Sequence, residues 1–97
     1  HENVFWNLLE IYRSLSDEQT AKRQFLRQRL VKETAAQMKY YCYLERGKAP
    51  KAELRSFGNR LKQEAPELLD AAMSYSRFVR LMVQTNYIAY HFSGLLL

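Results

Sequence analysis

The sequence has little of what disulfide-stapled or β-sheet proteins are built from. Its 97 residues include one cysteine, Cys42, with two prolines and three glycines. A single cysteine cannot form an internal disulfide. That excludes a disulfide-stapled secreted domain and fits a reducing compartment, so we expect a cytoplasmic protein. β-Branched residues are sparse and strict alternation of apolar and polar residues never persists, so we predict no strands.

Long apolar runs are also missing. The most apolar stretch, residues 78–97, is interrupted by Arg80, Asn86 and His91, whereas a spanning helix needs about 20 mainly apolar residues. We therefore predict no membrane span. We also expect no signal peptide, and because the sequence begins at His1 rather than at Met, we expect an excised or tagged segment.

Side chains that commonly carry chemistry are few. One cysteine and two histidines cannot supply a usual zinc site, and the acidic residues lack the spacing of carboxylate-bridged metal bundles. Cys42 and His91 are the one candidate pair of nucleophile and base, but Cys42 falls on the core side of its helix, where a thiol is usually inert. We therefore predict no catalytic residue, no metal site, no cofactor and no small-molecule substrate.

What remains is a helical pattern along the whole chain. We predict one all-α domain over residues 1–97, with a four-helix bundle-like fold. Two helices are long, about 17–46 and 66–92, and two are shorter, about 2–15 and 50–64.

Short-range signals set these limits. Ser16 and Gln19 have the spacing of a capping box ahead of the second helix. Gly47 is the kind of residue that ends many helices in a left-handed conformation. Pro50 and Pro66 suit the first turns of the third and fourth helices, because proline lacks the backbone N–H that those positions leave unpaired.

The first helix carries a regular apolar seam. Val4, Leu8, Ile11 and Leu15 recur at helical spacing, and we predict that they face the core. Trp6 falls on the opposite side and should therefore point outward. Because tryptophan is enriched at interface hot spots, an outward Trp6 would anchor a partner or be covered by chain upstream.

Two further seams complete the predicted core. The third helix presents a narrow seam made of Leu54, Phe57 and Leu61. The fourth helix is apolar on several sides, which predicts that several neighbours bury it at the centre of the bundle. Its main stripe consists of Leu68, Ala72, Tyr75, Val79, Met82 and Ala89.

Three tyrosines crowd into residues 40–43 of the second helix. Counted at about 100° per residue, Tyr41 joins the apolar half of that helix, whereas Tyr40 and Tyr43 fall on the other side. That side interleaves cations with rings over about 30 Å of helix. Its members are Lys22, Phe25, Arg29, Lys32, Lys39, Tyr40 and Tyr43.

Two interpretations of this side compete. In the first, Phe25, Tyr40 and Tyr43 pack against the first helix, the third helix or a second subunit, and the lysine stems lie along that contact. In the second, the cations neutralise phosphates and the tyrosines stack on exposed bases. Residues 22–32 contain five cations and no acid, but no sequence-specific nucleic-acid motif accompanies them.

Composition favours a binding function. The net charge of +5 and the sequence pI of about 9.5 favour acidic partners. The seven Tyr, five Phe and one Trp are more rings than so small an interior encloses. We therefore predict a non-enzymatic helical interaction module, a small accessory or regulatory subunit that binds another protein or itself.

Self-association and nucleic-acid binding are the two specific forms considered. A homodimer would bury the helix-four seam or the Tyr40/Tyr43 side symmetrically. The alternative function is sequence-nonspecific binding of RNA or DNA through the basic, tyrosine-bearing side of the second helix.

Overall fold

A computed structural model of the chain describes residues 2–44 and 48–93. The described part is all-helical, which confirms the predicted fold class. Its elements, in chain order, are α1 (Glu2–Ser14), α2 (Thr20–Tyr43), α3 (Lys48–Glu64), α4 (Pro66–Tyr75), α5 (Arg77–Gln84) and a short 3-10 helix (Ile88–Phe92).

The core lies where α2 meets α1, α3, α4 and α5. The predicted seam of α3 is confirmed, because Leu54, Phe57 and Leu61 are all fully buried. Phe57 lies at the centre of an aromatic cluster, with its ring 5.0 Å from that of Phe5. Burying a large side chain of this kind contributes about 1.5–3 kcal/mol, so these seams supply much of the stability of the fold.

The predicted fourth helix, 66–92, is three separate elements, so that boundary was wrong. Ser76 has an extended backbone and ends α4, and its hydroxyl accepts a hydrogen bond from Val79 N at 3.3 Å, which caps the start of α5. Asn86 and Tyr87 then adopt left-handed conformations with φ of 52° and 68°, and the 3-10 helix follows. No glycine or proline marks either break.

The turn after α5 packs on α3 through one glycine. Tyr87 is buried, and its ring lies directly over Gly58. A Cβ placed on Gly58 would lie 1.7 Å from the Tyr87 hydroxyl oxygen. The helix-weakening glycine of α3 is therefore explained by a close approach that any larger residue would block.

Helix α2 begins three residues later than predicted, at Thr20 rather than Asp17. Half of the capping box forms: the Gln19 side chain accepts a hydrogen bond from Ser16 N at 3.1 Å. The Ser16 hydroxyl contacts that same oxygen instead of a backbone N–H, so residues 16–19 make a turn rather than a first helical turn. The predicted end of this helix, with Gly47, falls outside the described residues.

Helix α1 is rotated relative to the prediction. Its buried residues are Phe5, Trp6 and Leu9, whereas Val4 is 60% exposed and Ile11 is 49% exposed. The helix is apolar on two sides, and the side with the larger rings packs inward because it buries more surface. The most regular apolar seam of the sequence thus lies on the outside of its own domain.

Candidate functional site

Helix α2 divides into two unlike halves, as predicted. Its inward half is buried and includes Leu30, Val31, Ala35, Met38, Tyr41 and Cys42. Two polar residues are buried with them, which the apolar pattern did not predict. Of these, Thr34 satisfies its hydroxyl by donating to Leu30 O at 2.8 Å.

The outward half, called the cationic face below, consists of Lys22, Phe25, Arg29, Lys32, Lys39, Tyr40 and Tyr43. Phe25 is 64% exposed and Tyr43 is 72% exposed, which confirms their outward orientation and excludes packing of these two rings against α1 or α3. Lys22, Arg29 and Lys32 are exposed as well, whereas Lys39 and Tyr40 are half-buried.

Three cations of the cationic face have no partner within the described residues. Lys22, Arg29 and Lys32 form no ion pair and no side-chain hydrogen bond there. Lys39 differs, because its ammonium group lies 5.9 Å from the centre of the buried Phe78 ring, a favourable cation–π position. The exposed Glu33 borders the face and is its nearest acid along α2.

Arg23 belongs to the fold rather than to this face. It donates to Leu15 O at 3.1 Å, lies 3.6 Å from Asp17 and stacks over the ring of Tyr12. The carbonyl it binds lies just beyond the end of α1, where backbone acceptors lack helical donors. One of the five cations in residues 22–32 is thus committed to joining α1 to α2.

The first ten residues of α2, Thr20–Arg29, contain no buried side chain. Burial begins only at Leu30. Lys22, Phe25 and Arg29 therefore stand on a helix segment that contributes nothing to the core. Within this segment, Arg23 is the residue that connects it to the end of α1.

Beside the cationic face, a shallow groove of about 290 Å³ lies on the surface between α2 and α4. Val31 and Ala71 line it with apolar surface, and Arg27 and Lys32 line it with charge. Tyr75, 56% exposed, also lines this groove. The sequence placed Tyr75 in the core stripe, and that was wrong because α4 ends at this residue instead of running on.

Trp6 is not an outward anchor, so that prediction was wrong. It is only 7% exposed, packs on Phe5 and Phe57, and carries the guanidinium of Arg60 3.9 Å above its ring. Its Nε1 donates to Glu2 Oε1 at 2.9 Å. A buried indole with both its ring and its N–H engaged is a structural residue.

The Glu2 carboxylate ties Trp6 to the cluster of tyrosines, because its other oxygen accepts a hydrogen bond from the Tyr41 hydroxyl. Burial, reinforced by this carboxylate, raises the pKa of Tyr41 well above its ordinary value of 10.0. The neighbouring Gln37 amide lowers that pKa. The Nε2 atom of Gln37 is buried and forms no hydrogen bond within the described residues. Tyr40 packs its ring against Tyr41 at 5.8 Å.

The candidate chemical groups lie in unlike places. Cys42 is buried in α2, as predicted, whereas His91 is exposed on the 3-10 helix with its Nε2 2.9 Å from the Lys51 ammonium nitrogen. Within residues 2–44 and 48–93, no three His, Cys, Asp or Glu side chains come together as they would around a metal ion. No helix in that same part is both long and apolar enough to span a membrane.

Comparison with known proteins adds no relative. No protein-family model, curated protein or solved structure matches this chain.

Proposed function

We propose that the protein is a non-enzymatic helical interaction module, a small accessory or regulatory subunit whose cationic face binds an acidic surface of another protein. The observation that carries this proposal is the exposure of Phe25 and Tyr43 on one face. Between them lie Arg29 and Lys32, which form no ion pair with any residue that the structure describes. Exposed aromatic rings rimmed by polar groups are typical of contact surfaces. The cytoplasmic location remains a prediction from the single cysteine.

The spacing of the rings favours a protein partner over nucleic acid. Phe25 and Tyr43 lie 18 residues apart in one helix, which is about 27 Å at 1.5 Å per residue. Rings so far apart do not form a run on which successive bases stack. They suit two separate pockets of a protein surface, each filled by one aromatic anchor.

Charge then selects an acidic protein. Lys22, Arg29 and Lys32 are unpaired among the described residues, and the chain as a whole carries +5. Opposite charge on a partner speeds its encounter with this face and fixes the register in which it docks. Each exposed pair alone contributes only about 0–1 kcal/mol, so the rings supply affinity and the cations supply selection.

Nucleic-acid binding is the second candidate, and one observation favours it. The segment Thr20–Arg29 projects without buried side chains, and a single helix fits the major groove of DNA, which is about 12 Å wide. Binding of this kind would weaken steeply with added salt, because counterions released from the phosphates drive it.

The test places a photo-crosslinking amino acid at Ala36, which is exposed in the middle of the cationic face. The same amino acid at Ser56, exposed on α3, is the matched control. In cells that make the protein, we expect adducts with acidic proteins from position 36 and not from position 56. The double variant Arg29→Glu, Lys32→Glu should abolish those adducts while the circular dichroism spectrum stays helical.

Two results would decide against the acidic-protein partner. Adducts with RNA or DNA from position 36, together with low-salt binding of a labelled 20-nucleotide strand by the purified chain, would select the second candidate. No adduct with either class, or adducts that survive the double charge reversal, would overturn the use of this face altogether.

A further inference from the structure

A second surface, on α1, has the properties of a self-association site. Val4, Leu8 and Ile11 on α1 and Leu15, the residue that directly follows this helix, are called the α1 seam below. They are spaced four, three and four residues apart. That spacing is the one at which helices interlock side by side. Val4 is 60% exposed and Ile11 is 49% exposed, whereas Leu8 and Leu15 are half-buried. Residues 2–44 and 48–93 therefore leave part of the seam uncovered.

The seam is bordered by uncharged groups. Its neighbours around the helix are Asn7 and Ser14 on one side and Tyr12 on the other. Two cations of α2 lie beyond Tyr12: Arg23, which stacks over its ring and lies 3.6 Å from Asp17, and Arg27, which lines the same concavity as Tyr12. In a chain of net charge +5, an uncharged apolar face can meet a copy of itself without opposing like charges. The cationic face of α2, by contrast, would bring like charges together if it met a copy of itself.

The seam is also symmetric about its own midpoint, between Leu8 and Ile11. If two copies of α1 run antiparallel, Leu8 of each copy lies opposite Ile11 of the other, and Val4 opposite Leu15. Every seam residue then contacts an apolar residue, which is what a two-fold interface requires of a single patch. Antiparallel packing also sets the positive end of each helix dipole beside the negative end of the other.

We infer that the protein forms a homodimer through the α1 seam, with the two copies of α1 antiparallel. The earlier expectation of a dimer through the helix-four seam is corrected, because Leu68, Ala72, Val79 and Met82 of that seam are buried within the chain itself. A contact along one helix of 13 residues, about 20 Å long, falls below the usual size of a stable interface. We therefore expect reversible association, with a Kd of about 10–100 μM.

Salt distinguishes this dimer from the binding assigned to the cationic face. Added salt screens the repulsion between two chains of +5, so dimerisation through an apolar seam should tighten, by about three-fold or more between 50 and 500 mM NaCl. Binding of an acidic partner to α2 should weaken over the same range. The two proposals therefore predict opposite signs in one buffer series.

The experiment is sedimentation equilibrium on the purified chain from about 5 to 500 μM, a range that brackets the expected Kd. We expect the mass to rise from 11.6 kDa toward twice that value. Ile11→Glu should weaken the dimer at least about 50-fold, since each dimer buries the introduced carboxylate twice. Ile88→Glu is the matched control, because Ile88 is an equally exposed isoleucine outside α1, and it should leave the dimer intact.

Register is tested with Val4→Cys and Leu15→Cys. Antiparallel pairing predicts that a mixture of the two variants forms a disulfide-linked dimer under mild oxidation, and that neither variant does so alone. Val4→Glu serves in place of Ile11→Glu if the latter melts early. Arg29→Glu with Lys32→Glu, which tests the proposed function, should leave the dimer mass unchanged. A monomer at every concentration, a dimer indifferent to Ile11→Glu, or disulfides formed by Val4→Cys alone would overturn the inference.

Discussion

Gly58→Ala should destabilise the fold, although the same change in an isolated helix would stabilise it. A Cβ at this position would lie 1.7 Å from the Tyr87 hydroxyl oxygen and 2.6 Å from the ring carbon that bears it, where 3.4–4 Å is ordinary contact. Tyr87 cannot yield cheaply, because it is 3% exposed and its backbone is fixed in a left-handed turn. Either α3 moves away or the ring leaves its site.

The magnitude follows from opposing effects. Replacing glycine by alanine inside a helix gains about 1 kcal/mol. Overpacking a filled site costs about 1–3 kcal/mol, and displacing a buried ring forfeits part of the roughly 1.5–3 kcal/mol that its burial contributes. Because these two costs are alternatives, we expect a net loss of about 1–2 kcal/mol in the free energy of unfolding, which is a measurable share of the roughly 5–15 kcal/mol typical of a small domain.

The assay is urea unfolding followed by circular dichroism at 222 nm, on the four proteins of a double-mutant cycle. With Tyr87→Ala as background, Gly58→Ala no longer meets the ring and should stabilise by about 1 kcal/mol. The sign of the effect of one substitution thus reverses with the residue at position 87. If Gly58→Ala stabilises the natural chain, or has the same effect in both backgrounds, Tyr87 does not lie on this glycine.

Three other predictions concern Tyr41, Glu64 and Trp6. Burial and Glu2 raise the pKa of Tyr41 above 10.0. The contribution of Tyr41 to the free energy of unfolding is therefore complete below pH 10 and falls as the pH rises further. Tyr41→Phe should cost about 1–2 kcal/mol at pH 7 and flatten the alkaline decline in urea titrations, and an unchanged decline would contradict this. A hydrogen bond from Arg60 lowers the pKa of Glu64 below 4.5. The contribution of Glu64 to stability is therefore present above that pH and lost as the pH falls. Glu64→Gln should make the decrease of Tm at acid pH less steep, and an unchanged decrease would contradict the pairing of Glu64 with Arg60. Trp6→Phe should cost about 1–2 kcal/mol through the lost Glu2 bond and Arg60 contact. As the single tryptophan, Trp6 should fluoresce at short wavelength until the chain unfolds, and emission typical of exposed indole in the folded protein would contradict its burial.

The sequence predicted the elements whose pattern is one-sided. Helix α3 has a single apolar seam, and all three of its predicted residues are buried. Helix α2 is apolar on one half and charged on the other, so the burial of Tyr41 and the exposure of Tyr43 could be predicted from the sequence. In both helices the apolar residues left only one way to turn toward the core.

Helix α1 could not be oriented in the same way, because it has two apolar sides. The regular spacing of Val4 and Ile11 suggested that they face inward, but the less regular side holds Phe5 and Trp6 and buries more surface. A choice of this kind depends on the total packing, which periodicity does not measure. Trp6 was therefore predicted on the wrong side of its helix. Among the other predicted site residues, Lys39 and Tyr40 are half-buried although the pattern of α2 predicted them outward.

The break of the long fourth helix had no strong local signal. Ser76 and Asn86 are residues that suit a cap and a left-handed turn. Each also occurs inside helices, and the apolar stripe from Leu68 to Ala89 runs past both positions. Tyr87, which has a left-handed conformation, packs on Gly58, 29 positions earlier in the chain. A contact so distant in sequence is not visible in a local pattern, and Tyr75 was misplaced for the same reason.

The first turns of α2 have no buried side chain, so the two parts of this helix differ in local stability. Amides after Leu30 open only when the core around them opens, whereas those of residues 20–29 are held by the helix itself and by the contacts of Arg23 with the end of α1. Hydrogen exchange of the amides of residues 20–29 should therefore be fast, and exchange should become slower toward the C-terminal part of α2. A partner that clasps this end would slow exchange there first, so the location of a bound partner can be read from amide protection alone, before its identity is known.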